Sequence, residues 1–150
     1  ANSSSISDGA ASVILMKEST ADKKGIKPLA KIVAHSTNSH EPNWFTTAPI
    51  GAISKVLDKS GWKKTDIDLF EINEAFAVVP MAVMKELSIP KEILNINGGA
   101  CALGHPVGAS GARIVATLIN SLKSKNLKRG IASLCIGGGE ATAMSLELID

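Results

Sequence analysis

His105, Cys135 and Asn73 are side chains able to carry a proton or a hydrogen bond, and each stands beside glycines or at a predicted helix start. Between Asn95 and Arg113 stand Gly98, Gly99, Gly104, Gly108 and Gly111, and Pro106 follows His105 directly. Glycine gives up more backbone entropy on folding than any other residue, so such a cluster marks sharp turns or the close approach of another group. Proline suits the first position of a helix. Ile114, Leu118 and Leu122, flanked by Val115 and Ile119, then recur at helical spacing. The pattern predicts strand, glycine-rich turn and helix, with His105 near the positive end of a helix dipole, where a neutral imidazole is favoured. Cys135 lies near the end of an apolar run, two residues ahead of the triplet Gly137, Gly138 and Gly139. A thiol works as a base only as thiolate, which a histidine, a dipole or nearby donors must stabilise. Asn73 precedes Glu74 at a predicted helix start. Each has a structural reading as well: His105 as a capping or loop histidine, Cys135 as a small buried hydrophobe, and Asn73 as a helix N-cap.

The elements that must position these residues follow from periodicity. Gly9–Met16 reads as a buried strand, with Val13, Ile14 and Leu15 at its centre. Lys17–Lys24 reads as a short helix stopped by Gly25. Leu29–His35 is a second strand, and 36–49 a loop carrying Trp44 and Phe45. Ile50, Ile53, Val56 and Leu57 make one face of a helix ended by Gly61. Ile67–Ile72 is a short strand, and a helix from Asn73 runs through Leu87, kinked where Pro80 removes an internal hydrogen bond. Ile93–Asn97 is the strand feeding the glycine segment. After the long helix, 130–136 and 143–149 form a closing hairpin, the last strand alternating Met144, Leu146 and Leu148 with Ser145 and Glu147. Strands alternating with helices argue a mostly parallel sheet covered on both faces, with an antiparallel edge from the hairpin.

Composition narrows the class. A chain of 150 residues fits one domain with a sizeable core, and with only 3% aromatic residues that core must be Ala, Val, Ile and Leu. Sixteen basic against 14 acidic residues give no general drive toward nucleic acid. No apolar run approaches a bilayer span, so no membrane role is expected. Two cysteines make no disulfide framework, and a cytoplasmic setting is the expectation, with an organelle matrix as the alternative. The first residue is not Met, so a processing or fragment boundary is expected there. The glycines do not form a dinucleotide or P-loop pattern. A metal site from Cys101, His105 and Cys135 lacks a fourth ligand and paired cysteine spacing, so no metal is expected; Cys101 is read as core.

Four segments together resemble the thiolase family: the histidine signature Gly98-Gly99-Ala100-Cys101-Ala102-Leu103-Gly104-His105-Pro106-Val107-Gly108-Ala109-Ser110-Gly111-Ala112-Arg113, Asn73-Glu74-Ala75-Phe76-Ala77, Cys135-Ile136-Gly137-Gly138-Gly139, and the opening Asn2-Ser3-Ser4-Ser5-Ile6-Ser7-Asp8-Gly9-Ala10-Ala11. The resemblance implies an α/β thiolase-like half domain over 1–150, a mixed, mostly parallel five-stranded sheet with helices on both faces. Two such halves would pack through central helices, with helix 111–122 as the candidate here. It implies condensation of two acetyl-CoA to acetoacetyl-CoA or the reverse cleavage. Longer-chain 3-ketoacyl-CoA thiolysis and a non-catalytic assembly domain are the alternatives.

By resemblance, His105 helps deprotonate the nucleophilic cysteine and later donates to the thioester oxygen. Cys135 abstracts the α-proton of the second acyl-CoA. Asn73 holds a water in the enolate oxyanion hole, and the Gly137 N–H donates to the other. Ser4 matches a pantetheine contact, and Ile6, Phe45, Ala75 and Phe76 an apolar lining. No cofactor is implied beyond coenzyme A thioesters as substrates. The nucleophilic cysteine belongs to the amino-terminal half, so this chain alone is expected to be inactive. Its partners would be that half, in a homo-oligomer of the complete enzyme.

Overall fold

Two left-handed glycines end the first two helices of the chain, whose computed structural model describes residues 2–149. Helix α1 (Glu18–Lys24) stops at Gly25, φ 63°, and α2 (Ala48–Ser60) stops at Gly61, φ 67°. Both conformations favour glycine because it has no Cβ to clash. Strand β1 (Ala30–Ser39) lies between them, β2 (Leu69–Ile72) follows, and α3 spans Val78–Leu87. A single turn, α4 (Ala100–Leu103), precedes the long α5 (Ser110–Lys125). The chain closes with the hairpin β3 (Arg129–Ile136) and β4 (Glu140–Leu148).

The sheet has four strands in the order β1-β4-β3-β2. β2 pairs in parallel with β3, Leu69 opposite Gly130, while β4 runs antiparallel to both β3 and β1. The expected five-stranded, mostly parallel sheet is corrected on both counts. β4 inserts between β1 and β3, converting what would be one parallel pairing into two antiparallel ones. The expected strand 9–16 joins no sheet and forms no regular element, with Ile14 85% exposed. The expected strand 93–97 makes a single bridge, Leu94 to Phe70, because Asn95 takes a left-handed φ of 48° and turns the chain away.

Alternate residues of the strands face opposite layers, as the pleat requires. Phe70, Ile72, Ile131, Cys135, Ala141 and Ala143 pack with Ala52, Ile53 and Val56 of α2 and Val79 and Val83 of α3. Leu69, Ala132 and Leu146 pack on Ile114, Leu118 and Leu122 of α5, with Met144 and Leu148 beside them. Helices therefore cover both faces, and the apolar stripe expected for α5 is the one buried. Pro80 does not kink α3. It is the third residue of the helix, in the first turn, where an N–H would have no internal acceptor, so proline's missing donor breaks no bond there. Among the described residues, no helix is long and apolar enough to cross a membrane.

Candidate active site

Asn73 leaves the sheet at the carboxyl end of β2, where its backbone N–H donates to the Ser133 carbonyl at 2.9 Å. It is 1% exposed and lies five residues before the helix that follows, so the N-cap reading does not hold. Asn95 pins the strand end just before it. Its side-chain oxygen accepts from the Ile72 N–H and its amide donates to the Ile72 carbonyl, both at 2.8 Å. The same amide lies 2.9 Å from Glu74 Oε1. The other Glu74 oxygen accepts from the Cys101 N–H at 3.1 Å, at the start of α4. A Cβ on Gly99 would strike that carboxylate, which explains one glycine of the cluster.

His105 is extended, as a residue before proline prefers, and its N–H donates to the Ser5 carbonyl at 2.9 Å. It stands five residues before α5, because the Pro106 carbonyl takes the N–H groups of Ala109 and Ser110 in an intervening turn. Pro106 is thus not the first residue of that helix. Ser110 Oγ, fully buried, lies 2.6 Å from His105 Nδ1 and donates to the Pro106 carbonyl at 3.1 Å. A hydroxyl has one proton, so this network assigns the imidazole proton to Nδ1 and leaves a lone pair on Nε2. Burial first, and the Arg113 guanidinium second, hold His105 below the ordinary histidine range. The ring is therefore neutral near pH 7 and ready to accept a proton.

Asn73 Nδ2 lies 3.4 Å from both ring nitrogens of His105. Arg113 Nη2 donates to Asn73 Oδ1 at 3.2 Å, and Arg113 Nη1 lies 3.8 Å from Glu71 Oε2. Glu71 is buried at 2% exposure, and its carboxyl is pushed up to about 7, chiefly by that burial; Arg113 opposes the shift and Glu74 adds to it. Sequence reasoning assigned no role to Arg113, Ser110, Glu71 or Asn95. One signal was available for Glu71, a lone charge inside the apolar run Leu69-Phe70-Glu71-Ile72.

Cys135 is 6% exposed near the carboxyl end of β3, two residues past the Ser133 carbonyl that holds Asn73. It shares that edge of the sheet with Asn73, but among the described residues no hydrogen bond joins it to His105 or Asn73. Burial pushes its thiol up rather than down. Gly137 is exposed with open space around it. Gly139, by contrast, is required by a neighbour, since a Cβ there would strike the His40 carbonyl oxygen. Cys101 is exposed rather than core, a correction that follows from its place on the outer side of α4, with its thiol 3.8 Å from the Glu74 carbonyl.

The opening segment is strapped across the site. Ser4 donates to the Ala75 carbonyl through both N–H and Oγ at 3.1 Å, and Ile6 bridges His105 with its side chain 93% exposed. Phe45 and Phe76 meet edge to face at 5.9 Å. Ser4 with Ala75 and Phe45 with Phe76 are thus brought together as pairs. Among the described residues, no group of three or more His, Cys, Asp or Glu is placed to hold a metal ion.

The thiolase C-terminal domain family matches residues 26–148. The chain is 54% identical over 147 residues to a probable acetyl-CoA acetyltransferase of Dictyostelium discoideum, covering 98% of this chain and 36% of that protein. It is 51% identical to the cytosolic acetyl-CoA acetyltransferase of Mus musculus, covering 98% of this chain and 37% of that one. It superposes on the crystal structure of the Bacillus anthracis acetyl-CoA acetyltransferase with a TM-score of 0.87 at 47% identity, over 89% of this chain and 34% of that one. The Acat5 thiolase of Ascaris suum, solved in complex with coenzyme A, gives 0.84 at 44% identity over the same shares. The chain spans just over a third of the length of the curated relatives it matches.

Proposed function

Since the chain belongs to the thiolase family, we propose that it is the carboxy-terminal half of an acetyl-CoA acetyltransferase, supplying base and oxyanion donors for joining two acetyl-CoA or cleaving acetoacetyl-CoA. The observation that carries this reading is His105, neutral, with a free Nε2 lone pair beside the Asn73 amide. In the first half-reaction, a cysteine of the amino-terminal half gives its proton to Nε2. Its sulfur then attacks the thioester carbonyl, and coenzyme A leaves as a thiol carrying the Cys135 proton, which makes Cys135 the thiolate. The Nε2–H so formed donates to the thioester oxygen. In the second, the Cys135 thiolate takes the α-proton of another acetyl-CoA, and the enolate oxygen is held by His105 and a water on Asn73. The enolate carbon attacks the acyl-enzyme, the Gly137 N–H meets the new oxyanion, and the cysteine sulfur leaves.

Burial alone disfavours the Cys135 thiolate, so the second half-reaction waits on His105 and the docked amino-terminal half. The partner half would cover the exposed run Val13–Met16, which lies outside the matched 26–148 domain. Ser4 with Ala75 and Phe45 with Phe76 would line the pantetheine and acyl path. The cytosolic mouse relative supports a cytosolic setting.

The test uses this chain joined to, or mixed with, a thiolase amino-terminal half. Cys135→Ala should keep acetyl labelling of the partner cysteine while acetoacetyl-CoA formation falls by about a thousandfold. Unchanged condensation would overturn the assignment, as would turnover by the isolated 150-residue chain.

A further inference from the structure

Between α5 and the end of β2, a charged pair lies where an apolar one would be cheaper to bury. Glu71 points from β2 into the α5 layer at 2% exposure, and the Arg113 side chain is 20% exposed. Their nearest approach, 3.8 Å, is a loose ion pair, and Arg113 Nη1 has no hydrogen-bond partner. Buried ion pairs of this kind often lose to well-packed hydrophobes in net stability. Among the described residues, the one hydrogen bond the guanidinium makes goes elsewhere, from Nη2 to Asn73 Oδ1 at 3.2 Å.

That bond has a consequence for the amide. Guanidinium nitrogens only donate, so the Asn73 atom facing Arg113 must be its oxygen, and the NH2 group must face His105. Among the described residues, the other side-chain groups at that amide are the two ring nitrogens of His105, each 3.4 Å from Nδ2, and at that distance their hold on it is weak, so Arg113 is the group that fixes which end is the oxygen. We propose that Arg113, braced by Glu71, is a positioning residue that orients the Asn73 amide with its NH2 toward the imidazole of His105. The inference deepens the acyl-transfer reading, because an inverted Asn73 would aim a carbonyl at the place where an enolate oxygen is to be stabilised. The geometry itself stands on this chain alone.

The test is nuclear magnetic resonance on the 150-residue chain labelled with 15N at asparagine and histidine, which needs no turnover. Three variants are compared: Arg113→Met, Arg113→Lys and Glu71→Gln. In Arg113→Met, the Asn73 NH2 protons should exchange with solvent roughly tenfold faster, as expected for loss of a hydrogen bond. The His105 titration should also move up, because the Arg113 charge helps to hold it down. Arg113→Lys keeps the charge but not the fork, so the titration should stay near wild type while the Asn73 protons still lose protection. If Arg113→Met does not fold, Glu71→Gln decides. It keeps the shape of the brace and should loosen Asn73 in the same direction by a smaller factor. Wild-type exchange at Asn73 in a folded Arg113→Met or Arg113→Lys chain, or in Glu71→Gln, would overturn the proposal. Failure of the Cys135 test with these signatures intact would instead remove the reaction and leave the positioning in place.

Discussion

Ser110 Oγ stands 2.6 Å from His105 Nδ1, five residues apart in sequence across the turn that opens α5. Because the same hydroxyl donates to the Pro106 carbonyl, a buried serine decides which ring nitrogen carries the proton. Ser110→Ala leaves Nδ1–H without its acceptor. We expect a stability loss of about 1–2 kcal/mol, seen as a lower urea midpoint with an unchanged slope, and mixed tautomers in the His105 15N spectrum. In the joined enzyme, acetyl transfer should slow by about tenfold, the factor for roughly 1.4 kcal/mol. A single Nδ1–H tautomer in the folded variant would contradict the assignment.

Asn95 acts as a one-residue strand edge for Ile72, and its amide also serves Glu74. Asn95→Ala removes all of these bonds and leaves buried backbone groups unpaired, so a loss of about 2–4 kcal/mol is expected by chemical denaturation. Asn95→Asp should cost at least as much, since it turns an acceptor toward the Ile72 carbonyl and the Glu74 carboxylate. If both variants lie within about 0.5 kcal/mol of wild type, as ordinary surface changes do, Asn95 is not the anchor described.

Glu71 sets a pH dependence with a definite sign. Its folded pKa is raised from 4.5 to about 7, so between those values the folded chain binds more protons than the unfolded chain. The stability contributed by this group is fully present below about pH 4.5 and is lost as pH rises through about 7. The whole excursion amounts to about 3 kcal/mol at most. Unfolding free energies of wild type and Glu71→Gln at stepped pH should converge on the acid side and separate toward pH 7. A wild-type slope that survives in Glu71→Gln belongs to other groups.

Gly104 combines a φ of 92° with crowding by Ser7 and Ser5, and it sits just before His105. Gly104→Ala places a methyl group where the Ser7 hydroxyl lies, and the strap over His105 must lift. A cost of about 1–3 kcal/mol follows from the strained conformation. Amide exchange at His105, whose N–H is held by the Ser5 carbonyl, should quicken before global unfolding. Protection unchanged at His105 would mean that the strap does not depend on this glycine.

The helices and the site segments were legible locally. Apolar residues at helical spacing placed α2 and α5, glycines placed the ends of α1 and α2, and the unusual density of glycine around His105 marked a crowded backbone that Glu74, Ser5 and Ser7 do crowd. Pro80 was legible as a proline but not as a first-turn proline, because the helix start depends on where Ser4 and Asn2 hold the chain at Ala75 and Ala77. The place of β4 between β1 and β3 left no mark, since alternation records which face of a strand is buried and backbone hydrogen bonds accept any neighbour. Arg113, Glu71, Asn73 and His105 likewise meet only across α5 and the end of β2. Periodicity along the chain is a property of consecutive residues. The partner of a buried charge is chosen by packing between elements far apart in sequence, and that choice existed only once the sheet and α5 had closed on each other.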